Sequence, residues 1–399
     1  MLSESNYKMY LCMLSVVLEN NELWYSAGCI NGIFKTNLST EKTDLVTNFQ
    51  QSYVYEYRMF DIAVSVKDKM FFLPFNSNKL AVYEKISQEI KYIKLFDNNI
   101  NSRIGTGFVF HEYVVMIPCD KNMPLIMYHY KSNEIYKISD FLNFIENEVI
   151  YDTYIFAQGY HVYSDKLYLA IQGTQILVQI DLNKKRSEII KIGCQTEKKN
   201  HIHAMTGNGE ILYLIDESGK MIIWDVEKHK IESHKMFNSK FIKGKIEVQS
   251  VVPSAHNIWI FLWGVEKIAD TILKYDCMSN KTQEIHVKKS SHLTGGLDRK
   301  SYGYLFAQYL KEDVIIAGFI NSSQLLYIDE RKKELRTINL EFENEEYIKR
   351  ILKRKTVSEE VFQDGIHLFC KNVLMHTSQK RNVKEQNVYG KKILETIIL

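Results

Sequence analysis

Two histidines, His201 and His203, are the nearest approach to a metal-binding motif in this sequence. Residues two apart on a β-strand project to the same side, so both imidazoles could reach one ion. A zinc site needs a third and a fourth ligand, and no Glu or Cys accompanies the pair in sequence. The pair is therefore either completed by a distant segment or formed by two polar strand residues, and we predict no metal and no cofactor.

A second kind of chemistry needs an acid and a base, for which Asp61 and either His201 or His203 are the candidates. They belong to a mixed polar and aromatic set that suits hydrogen bonding to a sugar, a peptide or another polar ligand. Aromatic faces such as Tyr160 and Tyr309 could stack on the same ligand. Each residue could also be a structural polar group, and no catalytic residue is assigned. The predicted ligand-binding residues are Arg58, Asp61, Gln158, His161, His201, His203, Gln249, Tyr304 and Gln308.

Several common site motifs are missing from the sequence. There is no phosphate-binding loop, no Gly-x-Ser-x-Gly elbow and no dinucleotide fingerprint. The six cysteines are spread singly and form no Cys-x-x-Cys, which indicates buried thiols in a reducing compartment. The N-terminus lacks a signal peptide, and no apolar run reaches the length of a membrane helix. We therefore expect a cytoplasmic protein without a membrane span.

The elements that would position these residues recur roughly every 45–55 residues, a period typical of repeat folds. The clearest copy spans residues 211–231, with an apolar strand, a turn at Ser218-Gly219, a strand ending in Trp224-Asp225, a polar turn and a third strand. The strong apolar strands of the successive copies are predicted at about 22–27, 69–74, 113–117, 166–171, 211–215, 257–262 and 313–319.

Each strong strand is flanked by further strands. A less regular apolar stretch precedes it and carries most of the candidate ligand-binding residues, as an innermost strand would. The strand after it ends in Asp or Asn in five of the seven copies, and a short acceptor there can start a hairpin turn. These positions are Asn37, Glu84, Tyr130, Asp181, Asp225, Asp276 and Asp329. An alternating, charged strand follows, which suits an outer edge.

Repeats of strands without helices resemble the β-propeller superfamily, which includes WD40, kelch and quinoprotein-like repeats. Trp224-Asp225 is similar to the WD40 signature but has no Gly-His partner, and Gly295-Gly296 is similar to a kelch element only in composition. The resemblance covers residues 8–340 and identifies no single family, and we place the propeller domain in residues 1–340. It implies an all-β, seven-bladed propeller of four-stranded antiparallel blades. Trp224 should be buried between blades, and Asp225 should bind backbone amides of the outer turn.

Two segments interrupt the strand pattern. Residues 139–148 predict a short helical insertion with Ser139 as its N-cap. Residues 341–399 predict a mainly helical C-terminal extension, in which Phe362, Ile366 and Phe369 follow helical spacing. We expect this extension to pack on the propeller. An eighth blade or a membrane-seeking basic segment is the alternative.

Two functional hypotheses follow. The first is a binding module or scaffold that recognises a protein, a peptide or a polar ligand at one face of the central channel. It is favoured because the sequence contains no recognisable set of catalytic residues. The alternative is a hydrolase or lyase acting on a carbohydrate or another polar small molecule in the channel. The formal net charge of +3 is too small to indicate nucleic acid.

Overall fold

The structure is a computed structural model of the 399-residue chain. Every described strand belongs to one compact unit, Met1–Glu343, and the second unit, Asn344–Leu399, lies outside the described residues together with the predicted C-terminal helices. The described residues are 13–27, 31–49, 58–96, 102–148, 155–192, 202–216, 219–236, 246–264, 267–287, 302–310, 313–320, 322 and 324–342.

The first half of this unit consists of antiparallel groups of four strands in chain order. The first group is β1 (Val17–Glu19), β2 (Glu22–Ser26), β3 (Gly32–Asn37) and β4 (Lys42–Asn48). The second is β5 (Phe60–Val66), β6 (Lys69–Pro74), β7 (Lys79–Glu84) and β8 (Glu89–Lys94). The third is β9 (Ile104–Phe110), β10 (Tyr113–Pro118), β11 (Leu125–His129) and β12 (Ile135–Ile138), and it is followed by helix α1 (Leu142–Glu148).

The second half repeats the pattern. It contains β13 (His161–Tyr163), β14 (Lys166–Ala170), β15 (Ile176–Asp181) and β16 (Arg186–Lys191), then β17 (Ile202–Asn208), β18 (Ile211–Asp216), β19 (Lys220–Asp225) and β20 (Lys230–Met236). Next come β21 (Ile246–Pro253), β22 (Asn257–Gly264), β23 (Thr271–Asp276) and β24 (Lys281–His286). The last strands are β25 (Tyr302–Tyr309), β26 (Val314–Phe319), β27 (Gln324–Asp329), β28 (Glu334–Asn339) and β29 (Glu341–Phe342). A short pairing of β22 with β25 joins the last two groups into one sheet.

Burial explains why the strands differ in composition. Second and third strands such as β10 and β15 are buried along nearly their whole length, because both faces pack on other sheets. Fourth strands such as β8 and β16 alternate between half-buried and exposed residues. The continuous apolar runs and the alternating charged runs predicted from the sequence therefore lie where expected.

The first strands of neighbouring groups contact one another, for example β5 with β9, β17 with β21 and β21 with β25. A parallel bridge between Gln158 and Ala204 shows that the chain runs in the same direction at the start of two adjacent groups. The unit consequently has two faces. The face where first strands begin and second strands end is called the upper face. The opposite face is called the lower face, and it carries the turns that join first to second strands and third to fourth strands.

The lower-face turns confirm the predicted role of short acceptors after third strands. The Asp225 carboxylate accepts hydrogen bonds from the backbone N–H groups of Glu227 and Lys228, both at 2.9 Å. Asn37, Asp181, Asp276 and Asp329 make equivalent bonds. The predicted end of the strand at Tyr130 is wrong by one residue. β11 ends at His129, whose Nδ1 accepts the Ser132 N–H at 3.0 Å, so an imidazole replaces the usual carboxylate.

Helix α1 confirms a short helical insertion after the third group, but it begins at Leu142, three residues after the predicted N-cap Ser139. Phe141 and Ile145 are buried in the core between the third and fourth groups, which anchors the insertion. The main-chain carbonyl of Ser139 accepts the Leu142 N–H at 3.0 Å. The neighbouring Asp140 accepts the Ser187 N–H at 2.8 Å and so ties the insertion to β16.

The first and last groups meet through residues that are almost three hundred positions apart. Arg336 Nη1 donates to Glu41 Oε1 at 3.2 Å, and the backbone N–H of Asn339 donates to Glu41 Oε2 at 2.9 Å. β29 continues this contact as a parallel partner of β4. Near the centre, the Val16 N–H donates to Gln308 Oε1 at 3.2 Å. Glu41 thus connects the two ends of the described chain.

Glu41→Ala should lower the free energy of unfolding by about 1–2 kcal/mol, because both closing hydrogen bonds are lost. Urea denaturation of the purified protein measures this change. Glu334→Ala is the matched control, since Glu334 pairs with the same Arg336 at 3.0 Å within one strand and does not span the junction. Equal losses for the two variants would contradict a closing role for Glu41.

Candidate functional site

The upper face carries a group of six residues around one aromatic ring, which we call the Phe75 cluster. Its members come from the second and third strand groups, at the starts of β5 and β9 and the ends of β6 and β10. The cluster consists of Arg58, Asp61, Phe75, Arg103, Cys119 and Asp120.

Arg58 is held in place from both ends. Its backbone lies in the left-handed region, with φ of 53°, which is uncommon for a long side chain. Its carbonyl accepts the Asn76 N–H at 3.0 Å, and the neighbouring Met59 carbonyl accepts the Phe75 N–H at 2.9 Å. This conformation directs the guanidinium over the Phe75 ring, 3.8 Å from its centroid.

Asp61 is the buried partner of Arg58. Its Oδ2 accepts hydrogen bonds from Arg58 Nε at 2.8 Å and from Arg58 Nη2 at 2.5 Å. Burial raises the pKa of the Asp61 carboxyl, and the adjacent Arg58 charge opposes that rise. The other oxygen, Oδ1, is buried and has no hydrogen-bond partner among the described residues. A buried carboxylate with one unsatisfied oxygen and a perturbed pKa is typical of functional sites, although structural ion pairs show the same features.

The third strand group supplies the outer half of the cluster. Arg103 lies 5.8 Å from the Phe75 centroid, and its Nη1 is 3.6 Å from Asp120 Oδ1. Burial also raises the pKa of Asp120, and Arg103 opposes the shift. The side chain of Arg103 is 46% exposed, so this loosely paired guanidinium is the accessible part of the cluster.

Cys119 lies beside these charges as a buried thiol. Burial and the neighbouring Asp120 raise the pKa of its thiol to about 12, so it is protonated near neutral pH. Its sulfur occupies the space where a side chain at Gly105 would begin, since a Cβ there would lie 2.5 Å from Sγ. The thiol therefore fills the gap between β9 and β10.

The remaining predicted site residues do not join Arg58 and Asp61. Gln158 and His203 are neighbours on the upper face, where the Gln158 N–H donates to the His203 carbonyl at 3.0 Å. His161 is the first residue of β13, and its Nε2 is 2.7 Å from the Gly209 carbonyl in the turn between β17 and β18. Burial lowers the pKa of His161, which is consistent with a neutral ring. His201 lies outside the described residues.

Three further candidates make structural contacts between groups. Gln249 Nε2 donates to the Leu305 carbonyl at 2.8 Å, and Gln308 Oε1 accepts the Val16 N–H. Tyr304 is fully buried, packs between Phe261 and Phe319 and donates to the Asp270 carbonyl at 3.2 Å. These side chains link adjacent groups near the centre of the unit.

The aromatic residues named beside the site are also separate from it. Tyr160 stacks on Phe108 with ring centroids 4.9 Å apart, and burial raises the pKa of its phenol to about 12. The hydroxyl of Tyr309 donates to Asp313 at 3.1 Å at the lower end of β25. Within the described ranges, no group of three His, Cys, Asp or Glu residues could hold a metal ion.

Sequence reasoning identified Arg58 and Asp61 but missed Phe75, Arg103, Cys119 and Asp120. One signal was available, because Arg58 and Arg103 each stand just before the first strand of adjacent repeats. Their meeting on one ring depends on how the two sheets pack, and that is not visible in the repeat pattern.

Solved structures match this architecture closely enough to classify it. A streptogramin B lyase structure has a TM-score of 0.55 at 11% identity, covering 79% of this chain and 93% of that one. The Sqt1 structure from Saccharomyces cerevisiae has a TM-score of 0.56 at 10% identity, covering 83% and 86%. The fold is a β-propeller.

This propeller is not assigned to a narrower family. The WD40 repeats of RRP9 match with a TM-score of 0.53 at 9% identity, covering 79% of this chain and 88% of that one. No family model and no curated protein sequence matches the chain. At these identities the comparisons describe the fold of the propeller alone. No helix in its described part is long and apolar enough to cross a membrane.

Proposed function

We propose that the chain is a seven-bladed β-propeller that acts as a binding module, with the upper face as its recognition surface for a protein or peptide partner. The strand groups are the seven blades, and their first strands line the central channel. The contacts of Glu41 with Arg336 and Asn339 support this count, since they join the first four-stranded group to the last. Propellers commonly present such faces to partners, but the fold alone gives only a prior.

The observation that carries this proposal is the Phe75 cluster. Arginine and aromatic side chains are enriched among the residues that dominate protein–protein binding energy. In this cluster the Phe75 ring contacts both Arg58 and Arg103, and the exposed Arg103 is paired only loosely with Asp120. The cluster therefore presents the exposed Arg103 guanidinium beside the Phe75 ring, where a partner could contact both.

The enzymatic alternative receives less support from the same geometry. The Asp61 carboxylate is engaged by Arg58 on β5, whereas His203 is on β17 and His161 points to a carbonyl at the lower face. Among the described residues, no hydrogen bond or ion pair joins Asp61 to a histidine. We therefore do not propose a hydrolase or lyase reaction.

The domain division remains part of the proposal. We place the propeller in residues 1–340 and a helical extension in residues 341–399, which would dock on the propeller through its apolar stripe. β29 falls just beyond that boundary and pairs with β4, so the propeller includes at least Glu341 and Phe342.

Arg103→Glu should reduce partner binding by about tenfold or more, as expected for an arginine at the centre of an interface. The measurement is crosslinking of the purified protein in an extract of its source cells, followed by quantitative mass spectrometry. Arg331→Glu is the matched control on the lower face, where Arg331 is 55% exposed and 3.9 Å from Asp313. A partner lost with Arg331→Glu but retained with Arg103→Glu would place recognition on the opposite face.

A further inference from the structure

A second cluster lies on the lower face, where the third and fourth strand groups meet. It contains two tyrosines from the third group, Tyr113 on β10 and Tyr136 on β12, together with Glu134 from the turn before β12. Lys185 reaches it from the turn between β15 and β16. We call these four residues the Tyr136 cage.

The geometry is that of a cation held by aromatic walls. The Lys185 ammonium lies 3.3 Å from the Tyr136 centroid and 5.2 Å from the Tyr113 centroid. The two rings are 5.9 Å apart with an interplanar angle of 70°, so they form two sides of a corner. His129 packs edge-on against Tyr113, with ring centroids 4.9 Å apart.

The charge around the corner also favours a cation. The Tyr136 hydroxyl donates to Glu134 Oε2 at 2.9 Å, and this hydrogen bond lowers the pKa of Glu134, so the carboxylate is ionised near neutral pH. The Lys185 charge also lowers the pKa of Glu134, which places this carboxylate close to the ammonium. An ammonium at this position therefore meets two ring faces and negative charge, the arrangement that proteins use for alkylammonium groups.

The turn itself does not require lysine at position 185. Lys185 has φ of 56°, and the equivalent fifth position of the other turns has the same left-handed backbone. The residues there are Glu41, Gln88, Asn133, His229, Asn280 and Lys333, with φ from 51° to 63°. The fold accepts acidic, amide, imidazole and basic side chains at this position, so the turn does not dictate which side chain enters the cage.

We propose that the Tyr136 cage is a recognition site for an alkylammonium group, which Lys185 occupies as an internal ligand, and that its external ligand is a lysine side chain of a protein partner, free or methylated. Such a lysine has the same chemistry as the present occupant and would bind when Lys185 swings out. The site lies on the opposite face from the Phe75 cluster, so it does not depend on the function proposed for that cluster.

The test removes the internal ligand without disturbing the turn. Lys185→Asn places at this position the residue found at 133 and 280, and Lys333→Asn makes the same change in the last turn as the control. The probe is N-acetyl-Nε-trimethyl-lysine amide, followed by NMR line broadening of its methyl signal. We expect Lys185→Asn to bind it about tenfold or more tightly than the wild-type chain, because the tethered competitor is gone.

Further variants and a neutral probe test the roles of the aromatic ring and of the positive charge. Adding Tyr136→Leu to Lys185→Asn should abolish the gain, and an uncharged tert-butyl analogue of the probe should not compete. Circular dichroism melting identifies any variant that is unfolded, and Tyr136→Phe then tests the bond to Glu134 in a less disruptive way. Equal affinity for Lys185→Asn and Lys333→Asn, or binding that persists without the Tyr136 ring, would overturn the proposal.

Discussion

Trp224→Ala should lower the free energy of unfolding by about 3–5 kcal/mol, the range for deletion of a large buried aromatic side chain. Trp224 is 2% exposed and packs in a core formed by two neighbouring blades. Tyr168 and Leu177 belong to one blade of this core, and Leu212 and Ile222 to the other. The deletion would therefore leave a cavity at the junction between blades, as predicted from the Trp-Asp pair.

Chemical denaturation followed by circular dichroism measures the effect. Trp24→Ala is the matched control, because Trp24 is only half-buried on β2 and should cost about 1–2 kcal/mol. An unchanged unfolding midpoint for Trp224→Ala would show that the junction core does not depend on this ring.

Arg58→Ala should also destabilise the protein strongly, by about 3–5 kcal/mol near neutral pH, because it leaves the buried Asp61 carboxylate without its partner. The Asp61 side chain is 2% exposed, so water cannot replace the guanidinium. The double variant Arg58→Ala/Asp61→Asn should recover much of the loss, since it no longer buries an unpaired charge. If the double variant is less stable than Arg58→Ala, the assignment of the cost to Asp61 is wrong.

The same pair gives a pH dependence with a definite sign. Burial raises the pKa of folded Asp61 above its ordinary value of 3.8, so the folded state holds this proton more tightly than the unfolded state. The resulting contribution to stability is fully present below the unfolded pKa and is lost as the pH rises through the folded pKa. Removing Arg58 raises that folded pKa further. The loss of unfolding free energy caused by Arg58→Ala should therefore become smaller as the pH falls towards about 4. Adding Asp61→Asn should abolish this pH dependence.

Much of the fold was predictable because its signals are local. A carboxylate such as Asp225 bonds amides two and three residues away, so the turn it starts is encoded within a few positions. The apolar composition of β18 indicates a buried strand, and the alternating charged composition of β16 indicates a half-exposed one. The exception, His129 in place of Tyr130, shows that such patterns locate a strand end only to within about a residue.

The candidate site was predictable only in part. Arg58 and Asp61 are three residues apart, so their pairing is encoded in one segment. Tyr304 was selected by the same reasoning, yet it is in the core, because a shift of one residue in register moves a strand side chain to the other face. The sequence alone could not distinguish these two outcomes.

By itself the sequence determined the four-stranded repeat and the acceptors of the outer turns, since each depends on residues within one repeat. The Trp-Asp pair also predicted a buried Trp224, although its core is shared by two neighbouring blades. Tertiary structure alone decided that Arg58 and Arg103 share the Phe75 ring and that Lys185 enters the Tyr136 cage. It also decided that Glu41 holds Arg336. Those contacts join different sheets, and their geometry follows from the packing of whole strand groups, which no single segment encodes.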